Sequence, residues 1–345
     1  MANSHQADWT YFRRLLMTVA VLGMAYAAWR LSAILILAFA AVLIAVLLVG
    51  FANVLETHTR LPWRWAFAAG VLFIALFLIG VLVLFGAQLA GQIDEIISRI
   101  PRAFDEAGRR IGIANASNEL VNALSPGSGS RIVSQAAKLG YTFIGMIADL
   151  LLVVAAAIYL GADRSFHLNA IKLLPANQQE RALSAMVASA HALRLWFLGQ
   201  LISMILVGAL SGLAFWAIGL PLPVGLGLIA GLANFIPLLG PILGAIPAVI
   251  LAMADDWTSV IWAVVAIIAI QQVEGYVILP LVQRRAVDAS PAILLFAIAT
   301  FGVLFGWMGI VMAVPLTVVL MVLVQKIWVR EVLGEQTTVP GEKTK

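Results

Sequence analysis

The 345 residues are 63% apolar and only 11% charged, with a mean hydropathy of +1.03. Soluble domains are nearer half apolar and a quarter charged, and β-barrel spans alternate over ~10 residues, so long continuous apolar runs specify an all-α membrane protein. A net charge of +4 scattered over loops gives no nucleic-acid surface, the absence of Cys removes thiol chemistry, and four dispersed His lack metal-site spacing. No phosphate-binding GxxxxGK[ST] loop occurs, so ATP hydrolysis is not expected; the chain reads as a non-enzyme, and no cofactor is implied.

The polar head ends in Arg13-Arg14, and its continuation into apolar sequence shows no cleavable signal pattern. Residues 15–29 and 31–55 read as two spans in a tight pair, the first about 22 Å long by helical rise. Arg60, Pro62 and Arg64 make a basic turn with Trp63 and Trp65 as interfacial anchors, and residues 66–89 form the third span. Residues 1–90 are thus the N-terminal membrane part.

Between 91 and 140 the pattern changes. Charges of both signs alternate with Ile93, Ile96, Ile97, Ile100 and Phe104 in a helical stripe, and Ser125-Pro126-Gly127-Ser128-Gly129-Ser130 supplies a turn. This reads as a small extramembrane helical lobe, either a cap over the bundle or a substrate gate. Residues 141–195 contain the fourth span, with Asp149 near its middle, and an amphipathic helix over 178–195. The apolar side of that helix (Leu183, Met186, Val187, Ala190) is expected on the membrane surface.

The C-terminal core, residues 196–329, carries the chemistry, and a polar tail covers 330–345. A fifth span over 196–220 holds Gln200, Ser203 and Ser211 on one side. Residues 224–253 would form a helix of roughly 45 Å if straight, too long for a ~30 Å hydrocarbon core. Asn234, Pro237, Gly240 and Pro241 break it into a re-entrant or discontinuous hairpin. Residues 257–281 form a span, and residues 291–324 cross twice around Gly306-Trp307-Met308-Gly309. About eight transmembrane helices result. With the hairpin re-entrant and both termini cytoplasmic, fourteen of the 21 Lys and Arg lie inside, including Arg284-Arg285.

Glu274 is the sharpest signal, since a charge at membrane depth costs at least ~2.5–3.5 kcal/mol. Gln271 lies three residues earlier on the same helix face. Desolvation favours the acid over the carboxylate, which marks Glu274 as a proton-binding candidate; a structural hydrogen bond between helices is the alternative. Asp149 could face the same cavity or be buried against a hydroxyl. The turn of Asn234, Pro237, Gly240 and Pro241 can offer free backbone groups at half-helix ends, as transporter sites do, or be a plain loop. Gln200 and Ser203 have interhelical hydrogen bonding as their default role, and the GxxxG pairs Gly208/Gly212, Gly227/Gly231, Gly240/Gly244 and Gly302/Gly306 suggest close packing.

The ordered set Ile236-Pro237-Leu238-Leu239-Gly240-Pro241, Val273-Glu274-Gly275, Leu279-Pro280, Pro291, Gly306-x-x-Gly309 and Val314-Pro315-Leu316 resembles the autoinducer-2 exporter family of bacterial permeases. Leu198-Gly199-Gln200 is similar as well, and the resemblance runs from about residue 15 to 329. It implies about eight spans, a bacterial inner-membrane location, a homo-oligomer, and export of a quorum-sensing signal or exchange of sodium or lithium for protons. The sequence departs from the family at Leu238, where an aromatic is usual, and near Arg284-Arg285, where a glycine is common. The combined expectation is a secondary transporter of a small polar solute, with proton coupling as one option. A Na+(Li+)/H+ antiporter and a non-transporting membrane scaffold are the alternatives. Besides the lipid bilayer, the partners expected are the solute or a monovalent cation and proton.

Overall fold

The computed structural model describes residues 2–77, 79–80, 145, 147–163, 169, 171–278, 280, 290–330 and 332–335. The expected lobe at 91–140, the Arg284-Arg285 pair and most of the polar tail lie outside the described residues. Within them the chain is helical, with no strand. In chain order the helices are α1 (Ala2–Arg30), α2 (Ser32–Thr59), α3 (Trp63–Phe77), α4 (Ile147–Ala162), α5 (Ala176–Ile218), α6 (Pro223–Ala233), α7 (Gly240–Asp255), α8 (Trp257–Val273), α9 (Pro291–Val311) and α10 (Ala313–Leu323). A π-helical turn, Glu274–Ile278, extends α8, and a second, Val324–Val329, extends α10.

By length and apolar composition, α2, α5, α8 with its π-turn, and α9 can each cross a bilayer. The protein is therefore an all-α membrane protein. Local sequence explains most helix ends. Helix α2 stops at Arg60, which takes left-handed backbone (φ 56°) before Pro62. Helix α5 ends on left-handed Gly219 (φ 86°), whose N–H returns to the Phe215 and Trp216 carbonyls. Asp256 starts α8 by accepting the Ser259 N–H.

Two expectations are corrected. The surface helix expected over 178–195 and the span that follows it are one continuous rod, the 43-residue α5, about 64 Å long by helical rise. No Gly or Pro falls between Ala176 and Leu198, so nothing separates the two parts. Its buried face is Ala185, Ser189, Ala192 and Leu193, while Leu183, Met186 and Val187 are exposed. The tight pairing expected of the first two spans is also absent, for every described α1 side chain from Phe12 to Arg30 is exposed. Small residues account for the difference. Ala40, Ala41, Ala45 and Ala52 let α2 close on α3 and α4 through Phe67, Val153 and Ala157 instead.

The second half packs around α5. Leu193 and Trp196 join Val314, Val318 and Val322 of α10, and farther along Phe215 joins Leu226, Ala248, Leu251 and Ala263 from the next three helices. Helices α6 and α7, about 16 and 24 Å by rise, are each shorter than the ~30 Å core. They form the expected discontinuous hairpin. In α9 the helix breaks at Gly306 (φ 65°, ψ −147°), within the expected turn. A side chain at Gly309 would strike the Phe301 carbonyl, so the chain doubles back there.

The glycine spacings act in packing. A Cβ at Gly227 would stand 2.6 Å from the Gly208 carbonyl oxygen and 2.7 Å from the Gly212 nitrogen, and one at Gly231 2.6 Å from the Met204 oxygen. All of these are backbone atoms, which cannot swing away. Gly227→Leu is therefore expected to destabilise the α5–α6 seam by at least the ~1–3 kcal/mol typical of overpacking. Gly23→Leu on α1, where nothing lies within 4 Å, is the control. Thermal unfolding in detergent checks it: equal stability of the two variants would refute the seam.

Candidate functional site

The site forms where the hairpin turn meets α5 and the end of α8. Helix α6 ends at Asn234, and the chain turns through residues 234–239 before α7 begins at Gly240. The turn closes its own backbone. Phe235 N–H donates to the Leu232 carbonyl, Ile236 N–H to Ala233, and Gly240 N–H to Ile236. The turn thus presents to the site mainly one side chain rather than the free backbone row expected of a discontinuous helix. That side chain belongs to Asn234, which is 2% exposed.

Asn234 uses both amide hydrogens. Nδ2 donates to the Ser203 Oγ at 3.1 Å and to the Glu274 Oε1 at 2.7 Å. The Ser203 Oγ donates to the same Oε1 at 2.8 Å. Gln200, one turn before Ser203 on α5, donates from Nε2 to the Asn234 carbonyl at 2.6 Å. Four residues from three separate elements therefore form one hydrogen-bonded cluster, with Glu274 as its only ionisable member. Two donors meet on one carboxyl oxygen, so the position of this side chain among apolar helices is fixed from two separate elements.

Glu274 also begins the π-turn that extends α8. Such turns carry an extra residue, widen the helix locally, and recur at functional positions. Val207 and Ile270 pack together with Ile278 beside the cluster, so α5 and α8 meet here through an otherwise apolar seam.

The other candidates fall in different places. Gln271 is half-buried and lines a small cavity with Ser211 and Pro241, one turn from Glu274, and takes no part in the cluster's hydrogen bonds. Pro237 lies in the turn itself and, like Pro241, is half-buried. Gly240 is buried, but its φ is not positive. The left-handed residue of the turn is Leu238 (φ 71°). What Gly240 supplies is close approach: a Cβ there would strike the Ala233 carbonyl and the Asn234 Cα. Asp149 is exposed on α4, whose buried side faces α2, and the structure does not bring it to Glu274. Ser203 is the residue the sequence undervalued. Its only signal was the 200, 203, 207, 211 spacing that puts it on one helix face with Gln200 and Ser211.

A larger cavity, about 810 Å³, opens over the next face of the α5–α6 seam. Met204, Trp216, Val224 and Leu228 wall it with apolar surface, so it offers a solute no polar anchor.

The profile defining the AI-2E family transporter matches residues 15–328, which takes in nearly all of the chain. The chain belongs to this family. Curated relatives carry transport names. The chain is 38% identical over 125 residues to "Putative transport protein YrrI" of Bacillus subtilis, covering 36% of this chain and 35% of YrrI. It is 30% identical over 252 residues to "Putative transport protein MT0215" of Mycobacterium tuberculosis, covering 68% and 67%. It is 23% identical over 304 residues to "AI-2 transport protein TqsA" of Escherichia coli, covering 83% and 84%. The match to YrrI thus spans about a third of that relative's length, whereas TqsA aligns along most of its own.

Proposed function

We propose that the chain is a secondary permease exporting a small polar solute across the bacterial inner membrane, with Glu274 as the carboxyl that binds the solute or its coupled proton. The observation that carries this reading is the hydrogen-bonded cluster of buried Gln200, Asn234 and Ser203 with half-buried Glu274, built where a hairpin turn meets a span. A structural pin between helices needs one hydrogen bond. Here an amide and a hydroxyl from two elements both bond one carboxyl oxygen, and Gln200 in turn holds the Asn234 backbone, which is more than a single pin requires. The name of TqsA supports autoinducer-2 or a similarly small hydroxylated signal as the solute class. Assembly as a homo-oligomer, implied by the family resemblance, belongs to the same proposal.

The antiporter alternative needs a second carboxylate at the site. Among the described residues Asp149 does not supply it, which favours the solute reading. Transport into everted membrane vesicles, across a panel of small hydroxylated signals and monovalent cations with and without a proton gradient, is the test. Uptake of a signal molecule is expected. Cation exchange alone would favour the antiporter, and no transport of any panel member would favour the scaffold.

The proposed orientation places both termini in the cytoplasm. A reporter fused near Ser128 should then behave as exported and one near Gln178 as cytoplasmic, and the reverse pattern would overturn the charge argument.

A further inference from the structure

Helices α5 and α8 run antiparallel along the site. Ser203 meets Glu274, and one turn farther Val207 packs in the cluster of Ile270. One turn past Val207 on α5, Ser211 lines a cavity of about 20 Å³ together with Gln271, the residue after Ile270 on α8, and with Pro241 of the hairpin on its third side. Ser211 is only 4% exposed, so its hydroxyl belongs to the interior. Space for one water needs about 10–15 Å³ and two or more polar partners, and here a hydroxyl and a primary amide face the same space. Phe215 and Ile267 line the cavity's far end, where Phe215 packs with Ala263 and Leu251.

We propose that Ser211 and Gln271 bind a single internal water, forming a second polar station through which solute or proton exchange at Glu274 proceeds. The station role rests on the reading of Glu274 given above; the water site does not. The amide of Gln271 both donates and accepts, and so does the Ser211 hydroxyl, so a water between them can take either orientation. That freedom lets the station follow a change of charge one helical turn away without leaving a buried polar atom unpaired.

The full-length protein, reconstituted in nanodiscs, is exposed to hydroxyl-radical footprinting by X-ray radiolysis, which oxidises side chains beside a bound water even when they are buried. Phe215 is 1% exposed and borders the cavity, so it is the reporter. Ready oxidation of Phe215 is expected in the native protein, and its loss in Gln271→Leu, which fills the space with an apolar side chain of similar size. Should Gln271→Leu fail to assemble, Ser211→Ala removes one partner without adding bulk and is expected to show the same loss. Equal protection of Phe215 in native protein and variant would mean a dry void and overturn the site. Oxidation of Phe215 together with undiminished transport by Gln271→Leu, at equal abundance, would leave a structural water and overturn the station role. Labelling requires no turnover, so failure of the Glu274 reading registers separately, as undiminished transport by Glu274→Gln.

Discussion

Glu274→Gln is expected to be made, inserted and assembled at normal levels, and to lose transport. The structure makes the two halves of this result separable. In the native site both donors converge on one carboxylate oxygen, Ser203 at 2.8 Å and Asn234 at 2.7 Å. The amide of glutamine can place its own oxygen there and keep both bonds, losing only their charge-assisted part, on the order of 1 kcal/mol. What it cannot do is ionise or exchange a proton. A purely structural Glu274 therefore predicts a nearly native variant, and an exchanging Glu274 predicts a folded, inactive one. Glu274→Asp keeps the charge but is one methylene short of Asn234 and Ser203, so it should retain part of the activity. Vesicle transport, normalised to protein abundance and oligomer size, decides the matter. Native rates in Glu274→Gln would end the exchange role.

Much of the architecture was legible because membrane constraints act on local sequence. A 30-residue apolar run containing Pro237, Gly240 and Pro241 cannot be one straight span, and the structure divides it at those residues. Gly306 likewise interrupts a run too long for one crossing, and there the break needs a backbone (φ 65°, ψ −147°) that glycine adopts most readily. Helix continuity across 176–218 was less legible. Polar and apolar composition change near Arg194, and the composition suggested a boundary where the backbone has none. Helix ends follow from breakers and caps, not from hydropathy; no Gly or Pro lies near Arg194 before Gly199, and the left-handed cap comes only at Gly219.

The site was half legible. Glu274 is conspicuous because a carboxylate inside an apolar run is costly wherever it points. Asn234 stood out as a polar residue at a helix break. Ser203 did not, since serine is common in membrane helices and satisfies itself cheaply. Only the fold places residues 203, 234 and 274 within hydrogen-bonding distance, and separations of 31, 40 and 71 residues leave no local pattern to read. Asp149 illustrates the converse. A carboxylate in an apolar run attracts notice by composition, yet Asp149, on the same stripe as the buried Val153 and Ala157, stays exposed near the start of α4.

Gly240→Val is expected to abolish function and to lower stability, while Leu239→Val at the adjacent position does neither to a comparable extent. Gly240 is buried at the start of α7, where the hairpin folds back on the end of α6. Any Cβ there would strike the Ala233 carbonyl and the Asn234 Cα, both of which belong to the opposite arm's backbone. No rotamer relieves such a clash, so the arms must separate, and overpacking of this kind costs ~1–3 kcal/mol or more. The functional loss should exceed what the lost stability alone would give. Asn234 is the residue pushed, and it carries one of the two hydrogen bonds to Glu274 and the carbonyl that receives Gln200. Leu239, by contrast, is half-buried with φ −86° and ψ −32°, a conformation valine tolerates, so trimming it removes one methylene of packing. Transport and thermal unfolding measured on both variants at equal membrane abundance separate the two expectations. If Gly240→Val transported as well as Leu239→Val, the turn would be an ordinary connection and Asn234 would not need its present position.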